Sequence, residues 1–354
     1  MATSNAATTY LERRVLDFVF KNNSLSFASP GNSIYVGLAT AVSNAEKGNM
    51  TEVQIDTDDA NYTRQQVTAT NWKQSASTLG LALTNSATEI HVADAEAFPS
   101  SGTITIDDEI ITYTGKGSTA TADVNGALSS ATALVVDGNS GTIAVGMKVT
   151  GTGITGTVYV TTVTNQNNLV VSPAISVADN VALNFDGTNT LTGGTRGTSS
   201  TTAYAHSAAD TVVCDAQRVI NDNNIEFPAA AGTAASYTVT HAFVADNQIA
   251  HANVNGAVSS SANVAVDGND GTIAVGDIVT GTGITGATSG VVRVQTVTNQ
   301  NAIVLDTAVS LSDNVVLTFD GSNVLFIGAL DASKSVAAGD IFRINAGNLS
   351  IELK

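Results

Sequence analysis

The sequence predicts an all-β protein, consisting of a small β-sandwich base domain with one N-terminal helix and inserted small β-barrel or sandwich modules. Three observations support this. Val, Ile, Thr, Ala, Ser, Asn and Gly dominate the 354 residues, and these residues are typical of strands and tight turns. Short β-branched runs alternate with turn residues over most of the chain. A long segment also occurs twice.

Composition limits the partners. The chain has 14 Lys and Arg residues against 31 Asp and Glu, giving a formal net charge of −17. This charge argues against nucleic acid or an anionic membrane surface as the main partner. A single cysteine, Cys214, excludes an intrachain disulfide and a multi-cysteine metal site. Since no apolar run approaches a membrane span and residues 1–9 do not resemble a secretion signal, we expect no membrane insertion.

One helix is predicted near residues 10–21. Its apolar residues recur at i, i+4, i+7 and i+8, which places them on one face and predicts a helix packed on a sheet. Thr9 and Glu12 have the spacing of a capping box at the helix start. The apolar residues of this face are Leu11, Val15, Phe18 and Val19.

The remainder is predicted to form strands and turns. Residues 102–113 are predicted to form a hairpin that turns at Asp107-Asp108. Asp-Gly steps at Asp137-Gly138 and Asp267-Gly268 predict further turns. Other predicted strands are Ile34–Leu38, Tyr237–His241, Val324–Leu330 and Leu349–Leu353.

An internal duplication is the most specific feature of the sequence. Residues 124–156 align without gaps to 254–286, with 24 of 33 positions identical. After four extra residues in the second copy, 163–187 align to 297–321, with 15 of 25 identical. Five short strands in each copy would form a small barrel or sandwich. In the first copy they are Leu134–Val136, Thr142–Val145, Val158–Val163, Leu169–Val171 and Val181–Phe185.

The two copies are separated by unrelated sequence, which argues against a solenoid, whose repeats abut. Insertion into exposed turns of a host domain explains this arrangement, because lengthening a surface loop costs little entropy. The second copy would then enlarge the tip of a hairpin. The predicted organisation is a base of 1–74, 218–250 and 323–354, an inserted β module of 75–119 and 188–217, and repeat modules 120–187 and 251–322.

The base contains a series of short motifs. In order they are Tyr10–Phe20, Ile34–Thr40, Tyr62-Thr-Arg64 with Trp72, Ile225-Glu-Phe-Pro228, Val239-Thr-His241, Leu325–Leu330, Val336–Asp340 and Ala346–Leu353. This series resembles a small phage protein family usually labelled tail fibre protein. The inserted segments resemble cassettes of structural proteins from marine cyanophages. The resemblance implies a virion component, and the large insertions distinguish this chain from the short members.

No catalytic, cofactor or metal site is predicted. The four histidines are too dispersed for a metal or triad motif; His241 is interpreted as structural and His251 as solvated. Cys214 is interpreted as a small buried residue. The adjacent acids Asp107, Asp108 and Glu109 would point to opposite faces of a strand, so they do not predict a carboxylate pair. The other two histidines are His91 and His206.

Two loop patterns have an alternative interpretation. Gly151–Gly156 and Gly281–Gly286 have the Gly-x-Gly-x-x-Gly spacing of a phosphate loop, but strands surround them and no helix follows, so we interpret them as turns. Asp267–Gly271 offers the oxygen ligands that calcium loops use. The first copy, Asp137–Gly141, has one carboxylate fewer, and a plain Asp-Gly turn is the favoured interpretation.

The resemblance predicts a non-enzymatic structural protein of a tailed-phage virion, a tail fibre or tail-associated appendage. Its base would dock to the particle and its inserted modules would be exposed. The predicted partners are other virion proteins of the tail, neck or capsid, and further copies in a homo-oligomer. A capsid decoration (cement) protein is one alternative. A carbohydrate-binding adhesin that contacts a host-surface glycan or receptor is the other, although one Trp and 5% aromatic residues provide few sugar platforms. A glycan-degrading enzyme would need a carboxylate pair in a groove.

Overall fold

A computed structural model describes residues 6–21, 34–55, 57–232, 236–285 and 291–353. Within these ranges the chain is all-β with one α-helix, α1 (Thr9–Lys21), and one 3₁₀ turn, Ala69–Asn71. The predicted fold class is therefore confirmed. The strands are β1 (Ala6–Ala7), β2 (Ile34–Asn44), β3 (Asn49–Glu52), β4 (Gln65–Val67), β5 (Trp72–Gln74), β6 (Ala76–Thr78), β7 (Ile90–His91), β8 (Gly102–Ile106), β9 (Glu109–Tyr113), β10 (Gly115–Lys116), β11 (Thr119–Val124), β12 (Leu128–Ser140), β13 (Lys148–Gly151), β14 (Val158–Asn165), β15 (Asn168–Val177), β16 (Ala182–Asp186), β17 (Thr190–Thr192), β18 (Thr211–Cys214), β19 (Gln217–Asn221), β20 (Ile225–Ala229), β21 (Ser236–Ala245), β22 (Ala250–Val254), β23 (Val258–Asp267), β24 (Ile278–Thr280), β25 (Val292–Asn299), β26 (Ala302–Leu311), β27 (Val316–Asp320), β28 (Val324–Ala337), β29 (Ile341–Ile344) and β30 (Ser350–Leu353).

The chain forms two compact units. Unit 1 consists of Met1–Asn71 and Asn223–Asn345, and unit 2 of Trp72–Asp222 and Ala346–Lys354. In the residues that the structure describes, each unit contains one closed six-stranded barrel together with open sheets. No α-helix in the described ranges has the length and apolar character needed to span a membrane.

The larger open sheet of unit 1 has the order β1-β28-β21-β2-β3, with β4 paired to β2, and the smaller one pairs β20 with β29. A small core of Ala39, Phe243 and Ile327 packs on the larger sheet. Gly37 is needed beneath Phe243, because a Cβ at this position would lie 2.1 Å from the Phe243 ring. Strands β21 and β28 pair with Ala245 opposite Val324. The chain between these two residues includes the barrel strands β22–β27, so this barrel extends the tip of a hairpin.

Unit 2 contains the barrel β11-β12-β15-β14-β13-β16. Its open sheets are β6-β18-β8-β9, β10-β17-β7 and β30-β19-β5. The predicted hairpin is confirmed: β8 pairs with β9 from Gly102 opposite Tyr113 to Ile106 opposite Glu109. Asp107 occupies the turn with a φ of +52°. The core beneath this hairpin includes Phe98, Ile104 and Cys214.

The two barrels have the same strand order and equivalent registers. Val124 pairs with Val136 in the first, and Val254 with Val266 in the second. Equivalent aromatic residues fill both interiors, since Phe185 and Phe319 are fully buried. Every barrel strand has two hydrogen-bonded neighbours, so closure removes the exposed strand edges that promote aggregation.

One predicted strand, Thr142–Val145, is wrong. Within this segment Ile143 is buried, yet its backbone bonds to a side chain instead of a neighbouring strand. Gln166 Oε1 accepts from Ile143 N at 2.7 Å, and Gln166 Nε2 donates to Ile143 O at 2.9 Å. Gln300 binds Ile273 in the same way in the second barrel. A side-chain amide thus replaces the strand partner in both copies, and no local pattern predicts this replacement.

The turn predicted at Asp137-Gly138 is also wrong, because both residues lie within β12. The register of β11 against β12 shifts at this point, from Thr121 opposite Ser140 to Asp123 opposite Asp137. Gly138 has a φ of +60°, as a β-bulge commonly requires of its glycine. The Asp-Gly step therefore bends a strand here instead of ending it.

Candidate functional site

The exposed face of helix α1 is the largest concentration of exposed apolar side chains in the described chain. The helix begins after Thr8, whose Oγ1 accepts from Leu11 N at 3.4 Å. Thr8 is therefore the N-cap, and the capping pair predicted from Thr9 and Glu12 is wrong because Thr9 N bonds to Glu46 O at 2.7 Å. The exposed residues are Val15, Leu16, Val19 and Phe20, with exposures of 45%, 57%, 60% and 78%.

This exposed face contradicts the expectation that the helix packs its apolar side on a sheet. Of the predicted stripe, Leu11 is half-buried, Val15 and Val19 are exposed, and the Phe18 side chain lies outside the described residues. Residues at i, i+1, i+4 and i+5 form a continuous strip along a helix. We name Val15, Leu16, Val19 and Phe20 the helix strip.

Charged residues accompany the helix strip. Asp17 accepts from Lys21 at 3.0 Å and lies 3.7 Å from Arg13. The hydrogen bond from Lys21 is the main cause that lowers the pKa of Asp17. Both cations are exposed, whereas Asp17 is mostly covered. The helix therefore presents positive charge beside an apolar strip, on a chain whose net charge is −17.

Arg64 is the most extensively bonded side chain in unit 1, and it is fully buried. It donates to both carboxylate oxygens of Glu52, at 2.8 and 2.6 Å, and to Asp320 Oδ2 at 2.9 Å. Its remaining donors reach Asn247 O at 3.0 Å and Ser322 Oγ at 2.6 Å. All five guanidinium N–H groups are therefore satisfied. Burial lowers the pKa of Arg64, but Glu52 and Asp320 raise it by more, so the net shift is upward.

Arg64 thereby holds together the two chain segments that enter and leave the second barrel, which we call its neck. Asn247 precedes β22, and Asp320 and Ser322 end and follow β27. A second pair closes the same neck: Asp246 Oδ1 accepts from Asn323 N at 2.6 Å and Oδ2 from Asn323 Nδ2 at 3.0 Å. The two chain crossings into the barrel are thus held by a buried charge cluster.

Unit 2 contains a comparable buried cluster around Glu109. Its carboxylate accepts two hydrogen bonds from Arg196, both at 2.7 Å, and one from Gly197 N at 3.0 Å. The carboxylate also accepts from Tyr204 N at 3.3 Å and from His206 Nε2 at 2.9 Å. Burial raises the pKa of Glu109, but these donors, Arg196 first, lower it to about 2. Glu109 is an ionised structural carboxylate.

Beside this cluster, His206 faces two further carboxylates. Its Nδ1 lies 3.2 Å from Asp107 Oδ2, and one ligand atom from each of Asp107, His206 and Asp210 lies within 4.8 Å of the others. The sequence gives no indication of this grouping, because 99 positions separate Asp107 from His206. Only the strand pairing of unit 2 brings them together.

A polar cleft of about 560 Å³ also lies in unit 2. Lys73 pairs with Asp94 at 3.4 Å and with Glu96, and hydrogen bonding to Glu96 is the main cause that raises its pKa. Lys116 is half-buried, and burial lowers its pKa. The lining residues are Lys73, Ala93, Asp94, Glu96, Lys116, Gly117, Asp186, Thr188 and Asn189.

The other histidines lie apart from these clusters. His91 Nδ1 lies 2.9 Å from Thr190 Oγ1, and burial lowers the pKa of His91 to about 4. Burial also lowers the pKa of His241. The expectation that His251 is solvated is wrong, since it is 5% exposed and its Nδ1 lies 2.7 Å from Asp270. Cys214 is buried, as expected.

The two loop patterns occupy turns. Gly153 and Gly283 have φ values near +90°, and a Cβ at either position would press on the carbonyl oxygen of Ser176 or Ser310. The chain after Gly153 continues into strand β14, not into the helix that a phosphate loop needs. Asp270, which the calcium interpretation would use, accepts from His251 N at 2.6 Å.

Comparison with known proteins identifies one family. Residues 6–106 match the family described as podophage GP4 fiber I protein gp80. No curated protein matches the chain, and no solved structure matches it. The match confirms the resemblance to a phage tail fibre protein family. A phage fibre protein is a structural protein located in the virion, and it interacts with other virion components.

Proposed function

Since residues 6–106 identify a fibre-type structural protein of a phage virion, we propose that this chain is a non-enzymatic tail fibre or tail-associated appendage. Its base docks to the particle, and its inserted modules are exposed. Its immediate partners are proteins of the tail, neck or capsid, together with further copies in a homo-oligomer.

The observation that carries this proposal is the position of the helix strip. All four exposed side chains lie inside the matched range 6–106, whereas both barrels lie outside it. Attachment to the particle is the property we expect fibre relatives to share, so it belongs to the shared region. An exposed apolar surface beside charged residues is typical of a protein–protein interface. The helix strip is therefore the proposed contact with the virion.

We also propose a domain organisation in which a discontinuous base carries the inserted modules. The base comprises 1–74, 218–250 and 323–354, and the inserted β module comprises 75–119 and 188–217. The repeat modules comprise 120–187 and 251–322. Two features support it: each repeat range closes its own barrel, and Arg64 fastens both chain crossings at the neck of the second one.

A non-enzymatic role is supported by how the buried charges are used. The carboxylates of Glu52 and Glu109 are each held by a two-point arginine contact. A general base needs a carboxylate within reach of a substrate, and these two are committed to structure. Measurable hydrolysis of a host polysaccharide by the purified chain would contradict the proposal.

Two alternatives differ in location or ligand. A capsid decoration protein would use the same helix strip on the head lattice. A host-binding adhesin is favoured by the polar cleft, whose lysines, carboxylates and Asn189 match the hydrogen-bonding groups of a glycan. Among the described residues no aromatic side chain lines the cleft, so a glycan would bind there without a stacking platform from this part of the chain.

The deciding experiment is cryo-electron microscopy of the intact particle, combined with copy number from quantified virion protein. A few copies in a ring at the tail or neck, with helix α1 facing the particle, are expected. Hundreds of copies over the head would show that the chain is a capsid decoration protein and not a tail appendage. Absence of the chain from purified particles would overturn the structural role.

A further inference from the structure

We propose that Asp107, His206 and Asp210 bind a divalent transition-metal ion. The three residues converge in unit 2, where a ligand atom from each lies within 4.8 Å of the others. Asp107 occupies the turn between β8 and β9, and His206 and Asp210 lie in the segment that leads into β18. The site is independent of the virion role, because it rests on these side chains alone.

The hydrogen bonds of Glu109 determine which ring nitrogen of His206 carries the proton. Arg196 binds the Glu109 carboxylate through two hydrogen bonds of 2.7 Å, so this carboxylate is an acceptor. His206 Nε2 lies 2.9 Å from Glu109 Oε2 and must donate. In a neutral imidazole the other nitrogen, Nδ1, is then an unprotonated acceptor.

This unprotonated Nδ1 of His206 faces a second hydrogen-bond acceptor. His206 Nδ1 lies 3.2 Å from a carboxylate oxygen of Asp107, and the His206 side chain is fully shielded from solvent. Two lone pairs at this distance repel unless positive charge lies between them. A metal ion supplies this charge, and a second ring proton is the competing solution.

The spacing of the ligand atoms is close to that of a metal site. Nitrogen and oxygen ligands bind zinc at about 2.0–2.2 Å, so two ligand atoms of a tetrahedral site lie about 3.3–3.6 Å apart. His206 Nδ1 and Asp107 Oδ2 are 3.2 Å apart, and the ligand atoms of the cluster all lie within 4.8 Å of one another. Asp210 Oδ2 accepts from Ser207 N at 2.7 Å, which leaves its second oxygen to coordinate. The Asp107 side chain is 55% exposed, so water can complete the coordination.

The donor set indicates the class of metal. One imidazole and two carboxylates suit Zn²⁺ or Mn²⁺ better than Ca²⁺ or Mg²⁺, which prefer oxygen ligands alone. Metal-binding histidines usually donate their second nitrogen to a carboxylate, as His206 does to Glu109. The ion would tie the β8–β9 turn to the segment 206–210 and stabilise unit 2.

Isothermal titration of the full chain with Zn²⁺, after chelator treatment and in excess Mg²⁺ to fill oxygen-only sites, tests the proposal. We expect saturable binding that Asp107→Asn and Asp210→Asn each weaken about tenfold or more. Asparagine tolerates the positive φ at Asp107 and can keep the Ser207 hydrogen bond at Asp210. Asp108→Asn is the matched control, because Asp108 occupies the same turn but not the cluster, and it should leave Zn²⁺ affinity unchanged within twofold.

Nitrogen NMR of the His206 ring gives a second, independent measurement on the unmodified chain. With Zn²⁺ bound, the ring should carry one proton, on Nε2, and the Nδ1 resonance should shift on metal addition. A ring that stays doubly protonated at pH 8 in excess Zn²⁺ would overturn the proposal in favour of an imidazolium. Equal loss of affinity in Asp108→Asn and Asp107→Asn would overturn it as well.

Discussion

Arg64 Nη2 donates to Asp320 Oδ2 at 2.9 Å across 256 positions of sequence. This hydrogen bond joins the strand region near β4 to the end of the second barrel, and it places a buried cation at the neck through which the chain enters and leaves that barrel. The same guanidinium holds Glu52, so removing it would leave two carboxylates without their charge partner.

Arg64→Met should therefore destabilise unit 1 by about 3–5 kcal/mol, the usual cost of leaving a buried charge uncompensated. The measurement is the free energy of unfolding in guanidinium chloride. Arg343→Met is the control, because the Arg343–Glu226 pair is about half exposed and should contribute about 0–1 kcal/mol. Equal losses in the two variants would show that the Arg64 cluster does not hold the neck.

The equivalent glycines of the two barrels should respond differently to alanine. Gly146 and Gly276 both have positive φ, and a left-handed alanine costs about 1–2 kcal/mol. A Cβ at Gly146 would also lie 1.8 Å from the His91 ring, whereas Gly276 faces open space. Gly146→Ala should cost about 1–3 kcal/mol more than Gly276→Ala in free energy of unfolding.

The excess cost at Gly146 has a specific cause that a double variant can isolate. His91→Ala removes the ring, so in that background Gly146→Ala should cost no more than Gly276→Ala does. An excess that survives the loss of the ring would assign the cost to the backbone instead of to His91.

His91 should make the stability of unit 2 depend on pH. Burial lowers its pKa from 6.5 to about 4. Between these values the unfolded chain binds the proton more readily than the folded chain, so acidification favours unfolding. The contribution of neutral His91 is complete above pH 6.5, falls as pH drops, and levels off near pH 4.

The measurement is the free energy of unfolding of the native chain and of His91→Gln at pH 7.5, 5.5 and 4. Glutamine does not titrate, and it can bond to Thr190. The native chain should lose stability relative to this variant as pH falls. A difference that stays constant from pH 7.5 to 4 would contradict the assignment of a neutral, partly buried His91.

Polar substitution of the helix strip should impair assembly without unfolding the chain. Leu16 and Phe20 lie one turn apart and are 57% and 78% exposed, so Leu16→Gln with Phe20→Gln should change the free energy of unfolding by no more than about 0.5 kcal/mol. Incorporation into particles, measured as copies per virion in a complementation assay, should fall several-fold.

Val275→Gln is the control for this prediction, since Val275 is 65% exposed but belongs to the second barrel, outside the matched region. It should leave incorporation unchanged. Normal copy numbers for the Leu16/Phe20 variant, or an equal drop for Val275→Gln, would show that the helix strip is not the docking surface.

Local chemistry determined what the sequence predicts correctly. Alternating β-branched residues and turn residues predict the all-β class, and the period of the apolar residues predicts the single helix, because both depend on neighbours within a few positions. The β8–β9 hairpin was predictable for the same reason. The duplication predicted two similar modules, and the two similar sequences fold into barrels with the same strand order.

Tertiary structure decided what depends on distant partners. Gln166 supplies the backbone of Ile143 with hydrogen bonds, so a β-branched run that predicts a strand forms none. Helix α1 keeps its apolar strip exposed. The period of the apolar residues shows which of them share a helix face but not what covers that face, so this exposure could not be predicted from the sequence. Asp107 meets His206, and Arg64 meets Asp320, only through strand pairing. These contacts join residues that are distant in sequence, so local sequence patterns cannot predict which residues pair.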